Sequence, residues 1–202
     1  MTARRGTAER ATAETTVRAA LDLDGAGRGR IQTGIGFLDH LLAQLARHGR
    51  LDLEVEARGD LEVDAHHTAE DCGLVIGRAL DAALGSRAGI RRFGDARIPL
   101  DEALADCAID LGGRAHVTIQ PRPSGPEGDP WLELLPHLLE SLAREARLTV
   151  HLRVDGARSV HHHCEAMMKA FAVALREAAE RDPRLDGTGP EGAVPTTKET
   201  MR

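Results

Sequence analysis

Two stretches of this chain, LDHLLAQLARHGRLDLEV from Leu38 and LPHLLESLAREARLTVHL from Leu135, match at a constant separation of 97 residues. His40 falls on His137, Leu41 and Leu42 on Leu138 and Leu139, Leu45 on Leu142, Arg47 on Arg144, Arg50 on Arg147 and Leu51 on Leu148. With two residues fewer in the second connecting loop, HHTAE at His66 then meets HHHCE at His161, and Ala79-Leu80 meets Ala174-Leu175. A sequence that repeats its own hydrophobic spacing must bury the same surface twice, so the chain is expected to fold as two copies of one strand-and-helix unit. We divide it into a first half-domain over residues 1–95, a second over 96–185 and a C-terminal tail over 186–202.

Within each copy the apolar period separates the elements. Alternation over Thr15 to Leu23, Leu51 to Ala57, Cys107 to Leu111, Ala115 to Gln120 and Leu148 to Val154 predicts strands. A helical period predicts helices from Gly36 to Gly49, His66 to Gly85, Trp131 to Arg147 and His161 to Arg181, with Gly49 and Gly85 placed to act as C-caps. QPRPSGPEGDP, between the halves, reads as a loop, and DPRLDGTGPEGAVPTTKETMR has the composition of an extended or mobile tail.

A chain of 202 residues with 42% hydrophobic content can bury a core. Three Phe, one Trp and no Tyr leave Leu, Ala, Val and Ile to build it and offer no base-stacking platform. A net charge of −6 argues against nucleic acid and anionic membranes as partners, while a local cluster of cations could still hold a small anion. Cys72, Cys107 and Cys164 are far apart, form no CxxC, and read as buried thiols of a reducing compartment. No apolar run approaches membrane-spanning length and none follows the polar N-terminus, so the expected location is the cytoplasm.

The histidines carry the chemistry. On a helix turning about 100° per residue, His66, His67 and Glu70 share one sector, yet adjacent imidazoles diverge, which sends His66 and His67 to different ions rather than to one. His161, His162 and Glu165 repeat the pattern, and His40 and His137 add a matched third position. Six histidines and two glutamates suffice for two ions with three His and one Glu each. Four protein ligands on an octahedral ion leave two positions for substrate and water, as a catalytic site requires. Imidazole and carboxylate without thiolate suit Mn²⁺, Fe²⁺, Zn²⁺ or Ni²⁺, and an octahedral demand favours the first two. A single HHxxE would equally well be a solvated helix start; two matched copies, each with a matched third histidine, are not accounted for in that way. His116 and His151 read as structural, and His163 as an extra imidazole about 100° round from His162.

The stretches GIGFLDHLLAQLARHG, GDLEVDAHHTAEDCG, ALG with GIRRFG, PLDEALADCAIDLGGR, HHHCEAMMKAFAVALREA and VPTTK lie in this order over nearly the whole chain, and together they resemble the imidazoleglycerol-phosphate dehydratase family. The resemblance implies an α+β fold of two similar half-domains from an internal duplication, each a four-stranded sheet with helices on one face, the helices packed together as a central layer. It implies a hydro-lyase of histidine biosynthesis that converts D-erythro-imidazoleglycerol phosphate to imidazole-acetol phosphate. Two Mn²⁺ per active site would bind the substrate imidazole as imidazolate, held by His40, His66, His67, Glu70, His137, His161, His162 and Glu165. Glu14, Gln44, His48, Arg92, Arg114, Lys169, Thr196, Thr197 and Lys198 would line the substrate site. Glu14, Glu70 and Glu165 would be the catalytic carboxylates, with Glu14 as the acid/base group. The family assembles as a homo-oligomeric shell of 24 subunits with active sites at subunit interfaces, so the implied partners are a small phosphorylated imidazole and further copies of the chain.

Several of these positions also have a reason in the residues themselves. Gln44 and His48 follow His40 at steps of four on one helix face, and Lys169 follows Glu165 by four. Arg92, Arg114 and Lys198, with Thr196 and Thr197, supply cationic and hydrogen-bonding groups for a phosphate. The chain departs from the family pattern at Ser159, usually Asn, at Met168, commonly Phe, in LGGR for LSGR, and in PTTKE for PSSKG or PSTKG. Glu199 sets an anion beside Lys198 and removes a glycine. Three rival readings stand beside the resemblance: a dinuclear phosphate-ester hydrolase, a non-catalytic metal-binding assembly protein, and a family member with a drifted substrate.

Overall fold

The computed structural model describes residues 3–120, 129–185 and 193–197. Most of the QPRPSGPEGDP loop and most of the tail, Lys198 and Glu199 included, lie outside the described residues. The first half runs β1 (Arg5–Ala11), β2 (Thr15–Asp22), β3 (Gly29–Gln32), α1 (Gly36–Gly49), β4 (Asp52–Gly59) and α2 (His66–Leu84). The second half repeats that order as β5 (Phe93–Leu100), β6 (Ala103–Asp110), β7 (His116–Gln120), α3 (Trp131–Glu145), β8 (Thr149–Asp155) and α4 (Val160–Ala179). Each half forms a four-stranded sheet, ordered β1-β2-β4-β3 and β5-β6-β8-β7. In both, only the last pair is parallel.

Alternation explains why each sheet has one apolar face. β2 buries Thr15, Val17, Ala19 and Leu21, and β6 buries Ala103, Ala105, Cys107 and Ile109. α2 covers β1 and β2, and α4 covers β5 and β6. Across the space between the sheets the helices pair between halves: α1 packs on α4, and α3 on α2. Among the described residues no helix is long and apolar enough to cross a membrane, and Cys72, Cys107 and Cys164 are free and buried.

The structure revises the sequence reading at several strands and at one helix cap. β1, β3 and β5 are strands that alternation did not reveal: β1 turns only Gly6, Ala8 and Arg10 away from solvent, none of them a large apolar residue, β3 has Ile31 as its one large apolar residue, and β5 contains Pro99. β6 begins at Ala103, ahead of Cys107, because its first inward positions are alanines with a weak apolar signal. β5 lies wholly in the second sheet, which therefore starts at Phe93, ahead of the division drawn at 95/96. Gly49 is not the cap of α1. The left-handed residue is Arg50, at φ 52°, like its repeat partner Arg147 at φ 54°. Gly49 is instead pressed beneath Leu51, whose Cδ2 would be 3.2 Å from an added Cβ. Gly85 does cap α2, with φ 54°.

Candidate metal centre

Cross-pairing of the helices creates the clusters. α1 and α4 run in the same direction, with His40 facing Glu165 near one end and the His48 carbonyl accepting from Arg176 near the other. His161 and Glu165 lie one turn apart on one face of α4, so both meet His40. The Nε2 atoms of His40 and His161 stand 2.5 and 2.9 Å from Glu165 Oε1. The same logic joins α2 and α3: His66 and Glu70 meet His137, with Glu70 Oε1 3.5 Å from His137 Nε2 and the His66 and His137 rings stacked at 4.7 Å between centroids. Within each trio the donor atoms all lie within 4.8 Å of one another. Neither trio comes from one half alone.

His137 Nε2 is buried and has no hydrogen-bond partner among the described residues. A buried ring nitrogen in that condition calls for a partner, and a divalent cation among two imidazoles and a carboxylate supplies one. The donor set therefore fits an intermediate or hard first-row ion, with coordination positions left over.

The surroundings of the trios differ. On the α1–α4 side, Lys169 Nζ lies 2.5 Å from Glu165 Oε2, and His48 Nε2 lies 2.8 Å from Gln44 Oε1. Burial works to raise the Glu165 carboxyl, yet the hydrogen bonds from Lys169 and His40 hold it down at about 2. Burial, and then the charge of Lys169, push His48 below the ordinary histidine value. On the α2–α3 side the repeat equivalents of Lys169, Gln44 and His48 are Leu74, Ser141 and Glu145. There the helices close up: a Cβ on Gly73 would sit 2.5 Å from the Leu138 carbonyl oxygen and one on Gly77 2.4 Å from that of Leu142, and Arg78 pairs with Glu145 at 2.9 Å.

His67 and His162 join neither trio. His67 Nδ1 stands 3.1 Å from Asp60 Oδ2 and 3.7 Å from Glu14 Oε2, and the Asp60 hydrogen bond raises the histidine pKa. His162 Nδ1 stands 2.8 Å from Glu102 Oε2, which raises the pKa of His162 and, with backbone N–H groups, lowers that of Glu102 to about 2. Asp60 and Glu102 escaped the sequence reading. Setting the β1–β2 hairpin over the β5–β6 hairpin at a separation of 88 puts Glu14 on Glu102 in a common register, with the pair Ala11↔Thr16 falling on Pro99↔Leu104, a signal hidden by the alanine-rich strands on either side.

The family model described as imidazoleglycerol-phosphate dehydratase matches residues 33–175, a span that holds both trios and both diverging histidines. The chain belongs to that family. It is 50% identical over 194 residues to the imidazoleglycerol-phosphate dehydratase of Methanoculleus marisnigri, covering 95% of this chain and 96% of the relative. The namesake from Chloroflexus aggregans is 51% identical, with 97% of this chain and 94% of the relative covered. Among solved structures, the dehydratase of Staphylococcus aureus superposes with a TM-score of 0.77 at 30% identity, covering 88% of this chain and 99% of that one. The Pyrococcus furiosus dehydratase, solved in complex with (S)-C348, gives 0.79 at 29% identity over 95% and 99%. Membership makes the chain a hydro-lyase with the two-sheet α+β architecture of these dehydratases.

Arg92, Arg114, Thr196 and Thr197, which the dehydratase resemblance assigns to phosphate, lie elsewhere. Arg92 takes Asp110 in a two-pronged pair at 2.7 and 3.0 Å, donates to the Pro195 carbonyl at 2.9 Å, and is joined by its backbone N–H to Ala178. Ala178 follows His161 by 17 residues along α4, about 25 Å along the helix axis. Thr196 and Thr197 belong to a segment tied to the body by Gly89 N to Ala193 O and Ala193 N to Leu185 O. Composition predicted an extended or mobile tail; within it, residues 193–197 are tied down by these backbone hydrogen bonds, which composition cannot register. Arg114 is exposed, between β6 and β7. His116 and His151 pair on exposed strand positions at 5.8 Å, and His163 is buried, all three outside the trios.

Proposed function

We propose that the chain dehydrates D-erythro-imidazoleglycerol phosphate to imidazole-acetol phosphate in histidine biosynthesis, as a cytoplasmic enzyme with two Mn²⁺ per active site. The observation that supports this most is the pair of trios, each with two imidazoles and one carboxylate converging from different halves. His40, His161 and Glu165 would hold one ion, and His66, Glu70 and His137 the other, through which the two glutamates act. His67 and His162, turned away from both, would each complete an ion at a neighbouring copy. When bound, the ions supply Lewis acidity that keeps the substrate imidazole as imidazolate.

The remaining groups belong to the chain. Glu14, 59% exposed and next to His67, would move the proton at the reacting carbon. Gln44, His48 and Lys169 would orient the polar substrate beside the first trio, and Arg92, Arg114, Thr196, Thr197 and Lys198 would grip the phosphate. A separation of about 25 Å along α4 exceeds the reach of one small substrate, which supports active sites shared between copies in a 24-subunit homo-oligomer. The test is to load apo-protein with Mn²⁺ and assay imidazoleglycerol phosphate for imidazole-acetol phosphate. No product where a control dehydratase works, or release of inorganic phosphate in its place, overturns the reading. Glu14→Gln is expected to keep metal and lose turnover; undiminished activity removes Glu14 from the acid/base role.

A further inference from the structure

We infer that Glu102 is a positioning residue that holds the His162 ring with its proton on Nδ1, so that Nε2 presents a bare lone pair to a divalent cation. This rests on the reading of His162 as a ligand. A carboxylate only accepts, so at 2.8 Å from Oε2 the Nδ1 atom must donate, and the tautomer is set. The carboxylate is itself fixed from the other side. Its Oε1 accepts from the backbone N–H groups of Arg158 and Ser159 at 3.0 and 3.2 Å, the two residues that lead into α4. The turn that carries Glu102 also lies hard against the β8–α4 loop, since a Cβ on Gly156 would stand 2.6 Å from the Glu102 carbonyl oxygen. Asp101 Oδ2, at 3.8 Å from Nε2, is too distant to take that nitrogen by a hydrogen bond.

The first half distributes the same parts differently. Glu14 occupies the repeat position of Glu102 but stands 3.7 Å from His67 Nδ1, with its side chain 59% exposed. Asp60, from the loop after β4, takes that nitrogen at 3.1 Å. Support of the diverging histidine thus falls to the hairpin glutamate in one half and to a loop aspartate in the other, which leaves Glu14 facing solvent. Carboxylates that orient ligating histidines typically account for 10–100-fold in metal affinity.

The experiment measures Mn²⁺ binding to assembled apo-protein by electron paramagnetic resonance of the free ion, for wild type, Glu102→Gln, Glu102→Asp, Glu14→Gln and His162→Ala. Glu102→Gln is close to isosteric and keeps an acceptor for the backbone N–H groups, since Oε1 remains an amide oxygen. The expected result is that one of the two Mn²⁺ sites weakens about 10–100-fold in Glu102→Gln while the other holds, that Glu102→Asp recovers part of the loss, and that Glu14→Gln leaves both affinities intact. If Glu102→Gln does not assemble, Glu102→Asp decides the matter: a smaller weakening confined to one site supports the inference, and two unchanged sites overturn it. Loss of an ion in His162→Ala with none in Glu102→Gln overturns this inference and spares the ligand reading. Two intact sites in His162→Ala overturn both.

Discussion

The two trios are built from repeat-equivalent residues, yet they sit in unlike surroundings. The first, His40, His161 and Glu165, continues down α1 and α4 into Gln44, His48 and Lys169. The second, His66, Glu70 and His137, runs into a seam where Gly73 and Gly77 bring α2 against the α3 backbone, with leucine at position 74. A duplicated motif therefore serves two ends in one chain: one copy is extended by polar groups, and the other is sealed by close packing. Lys169 Nζ takes Glu165 Oε2 at 2.5 Å, while His40 and His161 meet at Oε1, so the carboxylate proposed to hold an ion is already shared with a lysine.

The comparison can be broken most directly at the histidines. His40→Ala and His137→Ala are each expected to lose one Mn²⁺ per chain, keep the other, and lower turnover by about 10³-fold or more, read as metal content and rate. Loss of both ions from either variant shows that the trios are not separable. Next in size is Lys169→Leu, which gives the first trio the residue that the second already carries at Leu74. Both ions should remain while kcat/KM falls about 10–100-fold; unchanged kinetics mean that the two surroundings are functionally equal.

Smaller effects probe the packing and the charge. Gly73→Ala forces a methyl group against the Leu138 carbonyl and is expected to cost about 1–3 kcal/mol, whereas Met168→Leu at the repeat-equivalent position should cost less than about 1.5 kcal/mol. Thermal unfolding of the two variants checks the order. The smallest concerns His163, whose repeat counterpart is Thr68. Burial holds the His163 pKa below its ordinary value. The unfolded chain therefore takes up the proton first, and stability falls as pH drops below about 6.5. His163→Thr should lower the thermal midpoint at all pH values through lost packing, yet flatten its decline between pH 8 and pH 5 by about 1–3 °C. An unchanged slope removes His163 as a source of the decline.

Much of this was legible from the chain because helices announce themselves through leucine spacing. Leu41, Leu42 and Leu45 with Leu138, Leu139 and Leu142 define α1, α3 and the repeat together. Edge strands did not, since β1 and β3 present few large side chains inward. The eight proposed donors were visible as residue types, and six of them meet in the two trios. Their grouping was not visible: spacing within one half cannot say that His40 joins the other half's Glu165, which depends on which helix faces which. Asp60 and Glu102 were further out of reach, being separated from His67 and His162 by a loop in one case and by most of the second half in the other.

The exchange of helices between halves also sets a rule for how such a chain could have diversified. A single half carries His-His-Glu on one helix and its third histidine on another, and the two do not meet; only a second half completes the set. If the halves were separate, identical molecules related by a two-fold axis, every substitution would appear in both trios at once, and lysine at one could not coexist with leucine at the other. Joining the halves in one polypeptide lifts that restriction. The fusion is what allows position 169 to differ from position 74, and position 14 from position 102, so that a symmetric scaffold can hold an asymmetric reaction.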